Sequence, residues 1–333
     1  MTRFTCIAAA AAAMAAALGS ALAGCSYRQQ ARLLIQPDTQ WGCVNESVAG
    51  SPRRLVERKI VTAVRRTEVA EEAVIDAWVI AGPAGVAHRG AVVVLHGLCD
   101  SKITYLRMAG ALAPKGYDFV LLDLRAHGRS TGNYFTYGCL ERHDVKAAVD
   151  GLLKEGLISG PLYVMGVEVG GLVGLQYAAL DGRVAGVIAV GAPKDFRSVA
   201  RRMYSAASQE ELEKIVAASG RMGGFDPAEA SGLAAVAKYK GPVLFYHGLF
   251  DMAVPYADSE ALASAAAGPT RLVPMTAVSR LGTTLLSDAA VLEALERLHN
   301  GQLGEEPASQ PVGPAADISV PASATTAPGS VKE

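Results

Sequence analysis

Residues 162–190 read LYVMGVEVGGLVGLQYAALDGRVAGVIAV, and their pattern decides the fold. The unbroken apolar run over 162–166 has the length and continuity of a strand covered on both faces. A glycine-bracketed turn follows, Gly166-Val167-Glu168-Val169-Gly170-Gly171, and then an apolar helical stretch over 170–180. A second apolar run over 184–190 completes a strand–helix–strand unit.

The same alternation continues on either side. Toward the N-terminus it predicts strands over 59–64, 73–80, 91–95 and 119–124, with helices over 103–115 and 140–154. Toward the C-terminus it predicts strands over 243–246 and 271–274 and helices over 257–266 and 285–299. Strands that alternate with helices specify an α/β fold, a doubly wound and mostly parallel sheet with helices on both faces. Residues 193–240 break the rhythm with charged helical stretches such as 209–218 and a glycine-rich break at 220–224. They read as a small helical insertion over the sheet's carboxyl edge, within a folded body spanning 58–300.

The chain has 333 residues, half of them apolar and 19% charged, with a net charge of −1. These proportions exclude a collagen-like or wholly disordered chain, and the charge balance argues against a nucleic-acid partner. Five cysteines are too few for a disulfide scaffold of this length. No cofactor and no metal site is expected.

Both ends lie outside the fold argument. Residues 1–24 combine one positive charge at Arg3, an alanine-rich apolar run and a small-residue exit, as a secretory signal does. The exit, Leu22-Ala23-Gly24-Cys25, resembles the lipobox of bacterial lipoproteins. That resemblance implies an acylated Cys25 as the mature N-terminus, anchored in the lipid bilayer; an ordinary signal with a chance cysteine is the plainer alternative. Ser26, standing where an aspartate would retain the protein in the inner membrane, implies outer-membrane sorting with the body facing the periplasm. Residues 25–57 read as a lead-in, and 301–333, rich in Pro, Ala, Ser and Thr, as a disordered tail.

Function in such a sheet sits at the carboxyl ends of the strands. There the sequence places His96-Gly97-Leu98, Asp123-Leu124-Arg125-Ala126-His127-Gly128-Arg129-Ser130, the turn around Glu168, and His247-Gly248-Leu249-Phe250-Asp251. In this order the motifs resemble the α/β-hydrolase superfamily, nearest its serine aminopeptidase and monoglyceride-lipase-like branch. The resemblance covers about residues 70–299. It implies a nucleophile at the strand-to-helix elbow, an acid after the seventh strand and a histidine before the last helix. Carried over, Asp251 takes the acid position, while backbone N–H groups near Leu98 and at Val169 take the oxyanion positions.

Two positions depart from that pattern. The elbow of Gly-x-Ser-x-Gly holds Glu168 instead of serine, and Leu281 stands where the histidine is expected. None of the six histidines (His88, His96, His127, His143, His247 and His299) falls in that loop. The paired loss points to a non-catalytic protein that uses the scaffold for binding or interaction. The alternatives are a carboxylate nucleophile at Glu168, or a relocated nucleophile such as Ser279 or Cys99. By the family's strand order, Cys99 and Cys139 leave neighbouring strands, which makes them the expected pair if a disulfide forms.

Overall fold

The computed structural model describes residues 26–36, 52–276 and 286–303. Its centre is an eight-stranded sheet: β1 (Ala63–Glu68), β2 (Val74–Ile80), β3 (Gly90–Leu95), β4 (Tyr117–Leu122), β5 (Leu162–Val167), β6 (Val184–Val190), β7 (Val243–Gly248) and β8 (Thr270–Met275). The spatial order is β1-β2-β4-β3-β5-β6-β7-β8. β2 pairs antiparallel with β1 and β4, and every later pairing is parallel. β3 and β4 are buried at every residue, because helices cover both faces and leave no polar side for alternation.

Those helices are α1 (Tyr27–Ile35), α2 (Pro52–Glu57), α3 (Leu106–Leu112), α4 (Glu141–Lys154), α5 (Val169–Leu180), α6 (Phe196–Met203), α7 (Gln209–Gly223), α8 (Gly232–Val236), α9 (Tyr256–Ala265) and α10 (Asp288–Asn300). On one face, Val145, Leu172 and Leu262 of α4, α5 and α9 join a core that extends into α6–α8. On the other, Met108 of α3 and Leu295 of α10 pack against Val92, Phe119 and Ile188. Helices α6–α8 form the insertion at the sheet's carboxyl edge. Its base is tied by Phe196 N–H donating to Ala230 O (2.9 Å) and Gly232 N–H donating to Lys194 O (2.8 Å).

Several expectations need correction. Part of the lead-in belongs to the core: α1 begins with a capping box between Ser26 and Gln29, and its Leu34 and Ile35 are fully buried. Tyr137 and Tyr204 donate their hydroxyls to the carbonyls of Leu34 and Gln30, both at 2.7 Å, fixing α1 over α7. The first strand starts at Ala63 instead of residue 59, where Lys59 turns at φ +56° after α2. The helix expected over 103–115 is three pieces: 3-10 turns at Lys102–Tyr105 and Ala113–Lys115 flank α3. Pro114 cannot donate to a continuing helix, and Gly116 closes it at φ +95°.

No disulfide joins Cys99 to Cys139. The Cys139 thiol instead donates to the Asp226 carbonyl at 3.6 Å, beneath the insertion. Burial, reinforced by the Glu141 carboxylate, pushes its pKa up to about 12. A thiol so protonated and covered is a poor nucleophile. Brief N-ethylmaleimide treatment at pH 8 is therefore expected to leave Cys139 unmodified in the native protein and to modify it in urea. Peptide mapping that finds it alkylated natively, or bridged to Cys99, contradicts this assignment.

Candidate functional site: the elbow between β5 and α5

The chain passes from β5 into α5 in one residue. Glu168 adopts φ +53°, ψ −122°, a conformation that costs a non-glycine residue about 1–3 kcal/mol. The surroundings hold it there: Glu168 N–H donates to Val190 O (2.8 Å), and Gly171 N–H donates to Glu168 O (2.9 Å). Close packing accounts for Gly170, where a Cβ would lie 2.3 Å from Leu95 O and 2.5 Å from His96 O. The sheet thus lifts Glu168 to the mouth of the carboxyl edge.

Its side chain is partly buried and turns toward the loop after β3. Glu168 Oε2 accepts the Leu98 N–H at 3.3 Å. A Cβ on Gly97 would sit 2.6 Å from that same oxygen, so the carboxylate leaves no room for a side chain at 97. The backbone donor that the resemblance assigns to an oxyanion is therefore occupied by the protein's own carboxylate. Burial raises the Glu168 pKa to about 7; the Leu98 N–H opposes the rise, and the charges of Asp251 and Asp100 add to it. The second expected oxyanion position, Val169, is buried at the first residue of α5.

The acid position is built as a turn. Asp251 Oδ1 accepts the N–H groups of Ala253 and Val254, both at 2.9 Å, holding the loop after β7. Leu281, Ser279 and the acylation candidate Cys25 lie outside the described residues. Every histidine is described, and each ring has a partner other than the Glu168 carboxylate. His96 Nε2 accepts the Leu124 N–H (3.0 Å) and its Nδ1 faces Gly97 O (2.8 Å), so both ring nitrogens are engaged. His127 holds Arg125 O through Nδ1 (2.8 Å), and burial lowers its pKa to about 3. His247 lies between Ser259 Oγ (2.6 Å) and Val254 O (2.9 Å). His88 pairs with Asp118, His299 with the Tyr163 hydroxyl, and His143 sits beside Arg142. Among the described residues, no histidine bonds the Glu168 carboxylate.

Two features are absent from any sequence reading. Asp100 accepts from Ser101 N–H (2.8 Å), Thr104 Oγ1 (2.5 Å) and the Tyr105 hydroxyl (3.4 Å), forming an anionic shoulder that raises the Glu168 pKa. Lys102 is fully buried between Asp76, at 2.9 Å, and Asp123, and its ammonium lies 4.6 Å from the centre of the Trp78 ring. The Asp123 loop thereby becomes a rigid brace for the edge that carries the site. Among the described residues, no group of three or more His, Cys, Asp or Glu is arranged to hold a metal ion.

Comparison with known proteins agrees with this architecture. The family profile described as alpha/beta hydrolase fold matches residues 90–226. The uncharacterized protein YqkD of Bacillus subtilis is 25% identical over 187 residues, which cover 54% of this chain. The chain spans 61% of the length of that curated relative. Among solved structures, the esterase Pf2001 of Pyrococcus furiosus superposes with a TM-score of 0.56 at 20% identity, over 74% of this chain and 93% of its own. Est1E of Butyrivibrio proteoclasticus, solved with ferulic acid bound, gives 0.54 at 18% identity, over 72% of this chain and 99% of its own. Strand order, elbow and profile match agree: the chain is built on the α/β-hydrolase fold.

Proposed function

We propose that this is a non-catalytic α/β-hydrolase-fold protein of the cell envelope, acting in binding or interaction and anchored through an acylated Cys25. One observation carries the reading: the Glu168 carboxylate stands at the nucleophile elbow and accepts the Leu98 N–H at 3.3 Å. A hydrolase of this fold needs that donor for the oxyanion formed from its substrate. An internal anion there competes with a developing oxyanion and repels it. Among the described residues no histidine serves the elbow as proton acceptor, since each ring is bonded to another group. The anchor is supported by Leu22-Ala23-Gly24-Cys25, and Ser26 supports outer-membrane sorting with the body facing the periplasm.

The test treats the purified protein with a fluorophosphonate probe and short p-nitrophenyl esters. No labelling and no turnover above the uncatalysed rate are expected. Turnover abolished by Glu168→Gln would instead establish a carboxylate nucleophile, and labelling lost on mutating another serine would reveal a relocated one. Mass spectrometry of the N-terminal peptide tests the anchor separately: an unmodified peptide beginning elsewhere removes it.

A further inference from the structure

The loop after β7 presents Leu249, Phe250 and Met252 to solvent, with 45%, 70% and 40% of their surfaces exposed. Single exposed apolar residues are ordinary, but three within four positions concentrate exposed apolar surface on one loop tip. Asp251, between them, is half-buried and fixes the turn through Ala253 and Val254. Beside the tip runs α6, and residues 194–203 carry four cations, Lys194, Arg197, Arg201 and Arg202, against the single carboxylate Asp195.

These cations differ in what neutralises them. Lys194 pairs with Asp258 and Arg197 with Glu213. Arg202 donates from Nε to the Met252 carbonyl at 3.1 Å, which seats its guanidinium at the base of the tip. Arg201 donates to the Ala207 carbonyl (2.6 Å) and to Gln209 Oε1 (2.8 Å). Both hydrogen-bond neutral oxygens, and the charge of Arg201 also acts on the Glu213 carboxylate that pairs with Arg197. A hollow of about 460 Å³ lies here, lined by these four cations, Pro255 and the Asp258 carboxylate that pairs with Lys194. Asp195 also lines it, but its carboxylate is committed to capping α6 through the Ser198 N–H at 2.6 Å.

We infer that the tip and hollow dock on an anionic phospholipid surface. Leu249, Phe250 and Met252 enter the acyl boundary, and the hollow receives a lipid phosphate against Arg201 and Arg202. A bilayer is the partner that offers both chemistries at adjacent depths, hydrocarbon below and anionic headgroups above. The chain's own path agrees. Cys25 lies two residues before Tyr27, a reach of about 7 Å, and α1 packs on α7, which packs on α6. An acyl anchor there would bring the insertion toward the same membrane. That supporting step rests on the lipoprotein reading; the docking surface does not.

The test uses the full protein carrying Phe250→Trp, read against the wild type to subtract Trp41 and Trp78. Vesicles contain phosphatidylglycerol with phosphatidylethanolamine, or phosphatidylcholine alone. On anionic vesicles the introduced indole is expected to shift to shorter wavelength and to be quenched by brominated acyl chains. Arg201→Gln with Arg202→Gln should weaken partitioning roughly 25-fold, about fivefold per basic residue at the surface. If that pair of changes prevents folding, Phe250→Ser, measured by vesicle flotation, must show the loss instead. An indole equally open to aqueous iodide with and without anionic vesicles overturns the proposal. So does an equal response on phosphatidylcholine, or its abolition by millimolar inorganic phosphate at constant ionic strength, which would mark a small-anion site. A concentration-dependent dimer abolished by Phe250→Ser would assign the patch to a second copy. The mass of the N-terminal peptide reports acylation separately, so failure of the anchor and failure of this surface are distinguishable.

Discussion

Glu168→Ser alone is expected to remain inert toward fluorophosphonates and p-nitrophenyl esters. The elbow geometry belongs to the backbone and to glycine packing at Gly170, so serine would inherit the strained position. The substitution would also release the Leu98 N–H for an oxyanion. A serine hydroxyl at neutral pH nevertheless attacks only when a base removes its proton. The His96, His127 and His247 rings are held by Leu124, Arg125 and Ser259 with Val254, and none bonds the residue at the elbow. Members of a triad act as a unit, so a serine without its base falls short of a complete site by on the order of 10⁴–10⁶-fold. Adding Leu281→His to Glu168→Ser is expected to give slow labelling, because the pair restores both residue types that the resemblance assigns to proton handling. Rapid labelling of the single variant would show that an unassigned base serves the elbow.

Replacing Lys102 should produce the largest loss of stability. Its ammonium is buried between Asp76 and Asp123, and Asp123 also accepts the backbone N–H groups of Lys102 and Arg129, both at 2.8 Å. Lys102→Met would leave two buried carboxylates without their shared cation. Removing one partner from a buried ion pair costs about 3–5 kcal/mol, because the remaining charge has lost water and its nearest cation. For a domain of this size that corresponds to roughly 10 °C in melting temperature. Lys146→Met is the control: its i,i+4 pair with Asp150 is exposed, and such pairs contribute about 0.3–0.5 kcal/mol. Urea unfolding of the two variants should separate them clearly. Equal midpoints would mean that water or a neighbouring group already neutralises the Asp76–Asp123 pair.

The central sheet was legible because fully covered strands must be continuously apolar. The run 184–190 coincides with β6, and the runs at 91–95 and 162–166 fall within β3 and β5. Segments stabilised by tertiary contacts were harder to read. α1 is nine residues long with two arginines, and only the burial of Leu34 and Ile35 against the body reveals it as core. The glycine-rich stretch at 220–224 reads as a break, yet α7 runs to Gly223. There Gly220 gives the close approach that Pro227 needs, since a Cβ would lie 2.7 Å from its ring. In the site, the occupant of the elbow and the acid position could be read from motif order. That Glu168 bends onto Leu98 could not, because a contact across 70 residues depends on the packing of β3 beside β5.

The Glu168 carboxylate holds the Leu98 N–H, the donor an ester hydrolase would reserve for its substrate. Titrating the Leu98 amide by ¹H–¹⁵N NMR tests that contact most directly. A carboxylate with a pKa raised to about 7 by burial binds its proton near neutrality, and protonation weakens its bond to the amide. The Leu98 resonance is expected to move with a midpoint near pH 7 in the wild type and to stay still over that range in Glu168→Gln. A Leu98 amide that ignores pH between 5 and 9 in the wild type, or that titrates identically in Glu168→Gln, would contradict it.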